Sequence, residues 1–372
     1  MSLITEAEPE PVQPVVKSLR IGMVAPPWYS IPPKGYGGIE VVVGSLVDQL
    51  VKLGHHVTLV ASGEPGTSAQ GFVQIYEEPP SHLLGSDVMP ELVNAAKTQL
   101  ALADLELDVI HDHSAAGPLS ATARRCPTVV TMHGPVAGTN GEYYRSLGRT
   151  IQLVAISGAQ RRQARDMNWV GTVHNAVDVA SFPFKAEKSD HVLWLGRFSP
   201  DKGAHLAIET ARRAGRRIIL AGKLNETAER EYFDEVIEPL LGPGVEYVGE
   251  ADAAMKRELF ADAACLLFPI QWEEPFGMVM AEALACGTPV VATPRGSVPE
   301  IVRPGRTGFI AEDLDGLVQA LQRISEIDPA ACRADAEARF DLPVMAHGYE
   351  RVYRRVLART GSPLQRLDTT AA

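Results

Sequence analysis

The sequence predicts an α/β protein built as two doubly wound parallel-sheet halves facing each other across a cleft. Three observations predict it. Short β-branched runs alternate with longer amphipathic segments along nearly the whole chain, the pattern of βαβ units. The alternation runs through two series, separated by the polar, turn-rich stretch NAVDVASFPFKAEKSDH (175–191). The chemically distinctive motifs fall just after strands, at the end of a parallel sheet where ligands bind.

The first series opens with a strand at LRIGMVA (19–25). A helix over 39–54 follows, and Gly54 suits its left-handed cap. HVTLVAS (56–62), DVIHDH (108–113), TVVTMH (128–133), QLVAIS (152–157) and GTVHN (171–175) read as further strands, most of them with helices between. After a hinge near 174–190, strands are expected at HVLWLGR (191–197), RIILAG (217–222), VEYVG (245–249), ACLLFP (264–269) and TPVVAT (288–293). A helix over 204–215 is capped by Gly215. Two final helices, near 329–340 and 343–359, have no strand after them, so the last is free to cross back onto the first half. The expected domains are therefore 18–174, completed by a helix at about 343–360, and 175–342. Residues 1–17 and 361–372 are expected to be disordered tails.

Composition narrows the function. At 372 residues the chain is long enough for two domains, and 45% apolar with 22% charged residues is ordinary for a soluble globular protein. A formal net charge of −11 argues against nucleic acid, whose binding rests on basic surface. The acidic, Pro-rich start has no signal-peptide pattern, and no run of eighteen apolar residues exists to span a bilayer, so a cytoplasmic protein is expected. Cys126, Cys265, Cys286 and Cys332 show neither C-x-x-C spacing nor an accompanying zinc pattern and read as buried free thiols.

Two motifs in the second half carry the chemistry. GRFSPDKG (196–203) joins a strand to a helix and holds Arg197 and Lys202. Two cations beside a helix N-terminus match the charge of a diphosphate. The bland alternative is a solvated loop. WEEPFGMVMAEALACGTPVVAT (272–293) sets Glu274 before a Pro-Phe-Gly turn and Glu282 inside an apolar helix. A carboxylate in that setting needs a partner. With Pro275 at the first helical position, the two carboxylates would stand up to ~12 Å apart along the axis, roughly the span from a ribose to the sugar of a sugar nucleotide. A carboxylate accepts two hydroxyls and suits a vicinal diol. The alternative is a helix-entrance charge plus a buried Glu paired with an Arg.

In the first half, PPWYSIPPKGYGGIE (26–40) lacks G-x-G-x-x-G, which weighs against a dinucleotide turn. Its helix start at Gly37, Gly38 and Ile39 is placed to face a phosphate or a transferring sugar. TMHG (131–134) puts His133 at the cleft mouth, or leaves it a capped strand-end histidine. His111 and His113 point the same way along a strand, but without a further clustered ligand no metal is expected. Ser157, lacking G-x-S-x-G, reads as a helix N-cap rather than a nucleophile.

The run WEEPFGMVMAEALACGTPVVAT, with GRFSPDKG about eighty residues upstream, resembles the retaining nucleotide-sugar glycosyltransferases of glycosyltransferase family 4. The resemblance covers nearly all of 19–360, and the P-x-x-Y-G-G-I-E loop is similar to a subgroup acting on antibiotics and secondary metabolites. It implies the GT-B fold, no metal and no cofactor beyond the nucleotide-sugar substrate. It implies that Glu282 holds the donor ribose, and that Glu274 and the backbone of Phe276, Gly277 and Met278 hold the donor sugar. Arg197 and Lys202 would hold the diphosphate and His133 would touch the sugar near its hydroxymethyl group. HNAVD (174–178) is similar to the family's hinge-side N-G-V-D, with Ala176 in place of Gly. The implied reaction is same-face transfer from a nucleoside diphosphate sugar, UDP preferred over GDP, to a small-molecule or glycan hydroxyl. An epimerase or phosphorylase on the same scaffold, an oxidoreductase and a non-catalytic sugar-nucleotide-binding protein are the rival readings.

Overall fold

The structure is a computed structural model and describes residues 18–33 and 37–360. Both expected tails, and Lys34, Gly35 and Tyr36 of the first loop, lie outside the described residues.

Seven strands make the first sheet: β1 (Arg20–Val24), β2 (His56–Ala61), β3 (Gly71–Gln74), β4 (Val109–Asp112), β5 (Thr128–Met132), β6 (Gln152–Ala155) and β7 (Trp169–Thr172). Their order is β3-β2-β1-β4-β5-β6-β7. Helices α1 (Gly38–Lys52), α2 (Met89–Leu102), α3 (Gly138–Leu147) and α4 (Gly158–Gln163) connect them. The second sheet holds β8 (Val192–Leu195), β9 (Ile218–Ala221), β10 (Val245–Tyr247), β11 (Cys265–Phe268), β12 (Val290–Ala292) and β13 (Gly308–Ile310) in the order β10-β9-β8-β11-β12-β13. Its helices are α5 (Ala204–Arg213), α6 (Thr227–Tyr232), α7 (Ala253–Asp262), α8 (Met278–Ala285), α9 (Val298–Ile301), α10 (Leu314–Gln322) and α11 (Pro329–Phe340). Neighbouring strands in both sheets pair in parallel. The crossover direction reverses between β1 and β4 in one sheet and between β8 and β11 in the other, and ligands bind beyond the strand ends at such points.

Three elements differ from expectation. β3 and β13 were not foreseen. Both are edge strands of four and three residues, and each begins at a glycine, too little sequence to show a period. β7 starts at Trp169 rather than Gly171, because Trp169 and Val170 turn inward and are buried.

The last helix, α12 (Leu342–Thr360), leaves the second sheet and packs on the first. Met345, Tyr349, Val352, Tyr353 and Val356 join one buried cluster with β1, β2 and α1 residues. The return crossing runs beside the outward one: Val177 N–H donates to the Phe340 carbonyl at 2.8 Å. Gly54 and Gly215 adopt positive φ after their helices, at 84° and 67°. Ser157 caps α4, its hydroxyl accepting from the Gln160 N–H at 3.0 Å. Among the cysteines, Cys265, Cys286 and Cys332 are buried, whereas Cys126 is only half-buried at the start of the turn into β5.

Candidate functional site

The second lobe builds its part of the site from the two loops at the β8/β11 reversal. After β8, Gly203 closes the loop and opens α5 in the left-handed region at φ 73°. A Cβ there would stand 2.2 Å from the Pro269 carbonyl oxygen, so only glycine lets the β8 loop lie against the β11 loop. That contact brings Lys202 beside Glu274, with Nζ 2.5 Å from Oε2. Lys202 also lies over the Trp272 ring at 4.8 Å. Glu274 is 8% exposed, and 15% of the Lys202 side chain is exposed, so the pair is partly shielded from solvent.

The helix after β11 begins later than expected. Gly277, at φ 75°, is the N-cap of α8, and Pro275 lies ahead of the helix rather than at its first position. The segment 273–277 is instead an irregular strip held by Gly296 and Ser297. Gly296 N–H donates to Glu273 at 2.9 Å, Ser297 N–H donates to the Glu274 carbonyl at 2.9 Å, and Ser297 Oγ donates to the Phe276 carbonyl at 2.6 Å. Glu274 is therefore outside the helix, and helical rise does not set its separation from Glu282.

Glu282 sits within α8 and is 8% exposed. Its partner is Lys256 of α7, with Nζ 2.6 Å from Oε1, and not an arginine. Lys256 gave no signal in sequence, since a lysine on an amphipathic helix reads as a solvated surface charge. Arg197 is looser: its guanidinium, 41% exposed, stands 4.0 Å from the carboxylates of both Glu226 and Glu229. The Phe276 ring is buried, packing against His174 and Phe340 at 5.7 and 5.9 Å between centroids. Met278 touches the buried clusters of both lobes.

The first lobe contributes uncharged groups. His133 follows β5, and its Nε2 lies 2.8 Å from Nδ1 of His113, which follows β4. His111 bonds Tyr353 Oη through Nδ1 at 2.7 Å and Thr131 Oγ1 through Nε2 at 2.8 Å. Thr131 Oγ1 in turn lies 3.0 Å from Tyr349 Oη. Burial pushes His111 down to about 3 and His133 down to about 4, and holds His113 well below the ordinary histidine range, so the three rings are neutral. Asp112 alternates to the opposite face of β4, where it pairs with Arg124 at 2.9 Å. Among the described residues no group of three or more His, Cys, Asp or Glu is placed to hold a metal ion.

Gly37 is the N-cap of α1 and Gly38 its first residue. Beside them lies Glu40, which sequence reading did not single out. It is 4% exposed, and burial, with the Glu91 charge adding and a backbone N–H opposing, pushes it up to about 7. Glu91 is also raised by burial, though Trp28 Nε1 and the amides of Ala115 and Ala116 donate to it.

Glu300 makes a further direct tie between the lobes. Glu300, on α9 of the second lobe, accepts from the Gly158 and Ala159 amides that open α4 of the first, at 2.7 and 2.5 Å. Arg162 adds an ion pair at 3.1 Å, and His174 Nε2 lies 3.3 Å from the other carboxylate oxygen. Burial alone would raise Glu300, but these hydrogen bonds outweigh it and hold it below the ordinary glutamate range. The arrangement follows from α4 presenting unpaired N–H groups toward the other lobe.

Two parallel-sheet lobes meeting at their carboxyl-end loops, with lysine–glutamate pairs on one side and neutral histidines on the other, define a GT-B glycosyltransferase. Comparison places it further. Residues 36–181 match the model described as Glycosyltransferase Family 4, and residues 180–339 match Glycosyl transferases group 1. The chain belongs to the family-4 glycosyltransferases and uses a nucleotide-sugar donor. It is 27% identical to a phosphatidyl-myo-inositol mannosyltransferase of Mycolicibacterium smegmatis, covering 91% of this chain and 94% of that one. It is 25% identical to a glycogen synthase of Mycobacterium tuberculosis over 94% of this chain and 98% of that one. Among solved structures, AviGT4, a glycosyltransferase of avilamycin A biosynthesis, is 29% identical with a TM-score of 0.69, over 91% of this chain and 98% of that one. HepE of Anabaena, in complex with UDP and glucose, shares the fold at 19% identity and a TM-score of 0.70, over 90% and 99% of the two chains. No helix among the described residues is long and apolar enough to cross a membrane.

Proposed function

We propose that the protein is a retaining, metal-independent glycosyltransferase that moves a hexose from UDP to the hydroxyl of a small-molecule or glycan acceptor. The Lys202–Glu274 pair carries this reading. A lysine held against a nearly buried carboxylate keeps its charge paired while the site is empty, and a diphosphate, with two negative charges, competes for it. In this reading the incoming diphosphate takes Lys202, and Arg197 swings from its loose contacts to join it. Glu274 is then released to accept hydroxyls of the donor sugar, beside the unpaired amides that open α8 at Gly277 and Met278. Glu282 would exchange part of its Lys256 contact for the ribose diol. His133, with the helix start at Gly37 and Gly38, would meet the transferring sugar from the other lobe.

Negative charge gathers on the leaving diphosphate in the transition state, so cations and helix N-termini stabilise it where it develops. The departing phosphate can then take the acceptor proton on the same face, which preserves anomeric configuration without a protein nucleophile. A cavity of about 700 Å³ beyond the ends of β1, β2 and β3 offers room for the acceptor, within the usual size of small-molecule sites. Pro33 on its wall adjoins Gly37, linking it to the α1 start. None of the donor residues named above lines that cavity. The UDP preference draws support from HepE, which binds UDP on the same fold.

Thermal shift with UDP, GDP, ADP and dTDP, each bare and as its glucose or mannose conjugate, tests the donor. A rise selective for UDP and its sugars supports the reading; a rise selective for GDP-mannose overturns the base. Proton NMR of the product's anomeric signal tests retention.

A further inference from the structure

His133 can present either a hydrogen-bond donor or an acceptor to a ligand, depending on which of its nitrogens carries the proton. A neutral imidazole holds one of each. The geometry behind it constrains the choice. His133 Nε2 is engaged with His113 Nδ1 at 2.8 Å, and His133 Nδ1 makes no hydrogen bond to any described residue. His113 is 5% exposed, and its other nitrogen, Nε2, is buried without a partner. The ring cannot turn freely to find one. It is packed between His111, at 4.0 Å between centroids, and His133, at 5.1 Å in a stacked arrangement. His111 is itself pinned at both nitrogens by Tyr353 and Thr131.

Two proton placements satisfy the 2.8 Å contact. In one, His133 Nε2–H donates to His113, which leaves a buried N–H of His113 with nothing to donate to. In the other, His113 Nδ1–H donates to His133, which leaves only a bare lone pair buried on His113 Nε2. Orphaned buried N–H groups are the rarest unsatisfied groups in folded proteins, and unfilled acceptors are tolerated better. The second placement is therefore favoured, and it puts the remaining proton of His133 on Nδ1.

We propose that His113 is a positioning residue that locks His133 in the Nδ1–H tautomer, so that His133 offers a donor to a hydroxyl oxygen of the transferring sugar. The proposal rests on the reading that His133 faces that sugar. It adds the direction of the hydrogen bond and the residue that sets it. A hydroxyl meeting His133 must then accept, which leaves its own proton for an acceptor elsewhere in the site, such as the Glu274 carboxylate. The tyrosines of α12 reach this device through His111, so the returning helix supports the orientation of a residue it does not touch.

The test uses the full chain with ¹⁵N-labelled histidine. Long-range ¹H–¹⁵N spectra of the ligand-free protein report which nitrogen of His133 is protonated, whatever the enzyme acts on. His113→Asn keeps an amide donor at the distance of Nδ1 from the backbone, and His113→Leu removes it. The expected result is an Nδ1–H signature for His133 in the wild type and in His113→Asn, and a mixed or reversed signature in His113→Leu. With the donor found by thermal shift, kcat/KM should fall about three- to tenfold in His113→Leu, the worth of one neutral hydrogen bond, and recover in His113→Asn. An Nε2–H signature in the wild type overturns the proposal while leaving the glycosyltransferase reading intact. An Nδ1–H signature with equal rates in all three proteins overturns the sugar contact alone. If His113→Leu melts early, the wild-type spectrum and the His113→Asn rate still decide it.

Discussion

The two lobes solve the same task with opposite electrostatics. Both gather their candidate site residues near the carboxyl ends of a parallel sheet. The second lobe fills that position with charges held in pairs, Lys202 with Glu274 and Lys256 with Glu282. The first fills it with three neutral histidines: His111 is hydrogen-bonded to Tyr353 and, through Thr131, linked to Tyr349, and its ring packs against His113, which is hydrogen-bonded to His133. The difference teaches what an empty site needs. In the proposed reading one lobe receives an anion, and its cations each need a counter-charge until the ligand arrives, because an isolated charge in such a place is costly. In the same reading the other lobe receives hydroxyls and can rely on fixed dipoles, which need no counter-charge and do not rearrange.

The largest effect is expected in the charged lobe. Lys202→Ala should lower kcat/KM for the donor by on the order of 10²–10³-fold, about 3–4 kcal/mol of transition-state stabilisation. Steady-state rates measure it, with a melting curve to separate loss of fold from loss of chemistry. Unchanged transfer and unchanged donor hydrolysis would remove the diphosphate role.

Next comes the acidic exception in the neutral lobe. Glu40 is raised from an ordinary 4.5 to about 7, so its ionised form is disfavoured by folding. The sign follows: folding holds this proton that the unfolded chain releases, and stability falls as pH rises from about 4.5 through about 7. Glu40→Gln should flatten that fall by roughly 3 kcal/mol at pH 8. Urea titrations at pH 5 and pH 8 measure it, and equal slopes in variant and wild type would show that Glu40 is ionised in the folded protein.

Glu282→Gln sharpens the contrast inside the charged lobe. It keeps the shape and removes the charge that both Lys256 and a ribose diol would use. Donor affinity should fall about tenfold or somewhat more, the worth of a hydrogen bond to a charged group. Calorimetry with the donor nucleotide reads this directly; an unaltered Kd would count against the ribose contact.

The last effect lies in the neutral network and is read in stability rather than in affinity or turnover. Tyr353→Phe leaves His111 Nδ1 buried without a partner and should cost about 1–3 kcal/mol of stability. Chemical denaturation would show it, and a neutral result would mean that the network is not fully formed.

How much of this was legible beforehand differs by region. In the charged lobe the motifs are legible locally, because Gly-Arg-x-x-x-x-Lys-Gly and the two flanking glutamates lie in short contiguous stretches. What was misread there came from one residue. Gly277 takes the left-handed conformation and delays the helix, so Pro275 does not open it and Glu274 belongs to an irregular strip. Lys256 was missed because its meaning depends on α7 lying against α8. The neutral lobe was read less completely. His111 and His113 read as strand-end histidines for which no metal is expected, and local sequence does not show their partners, Tyr353 for one and His133 for the other. Glu300 and Glu40 drew no notice, since one acts across the lobe boundary and the other is made unusual by burial alone.

The sequence by itself determined the alternation of strand and helix, the division into two lobes, and the placing of Arg197, Lys202, Glu274 and Glu282 after strands. These follow from period, turn residues and local spacing, which are properties of neighbours in the chain. The tertiary structure alone decided the partners: which lysine faces which glutamate, which tyrosine holds His111, and that α12 returns to the first sheet. Those choices depend on burial and on contacts between residues from 20 to more than 240 positions apart, and no local pattern encodes them.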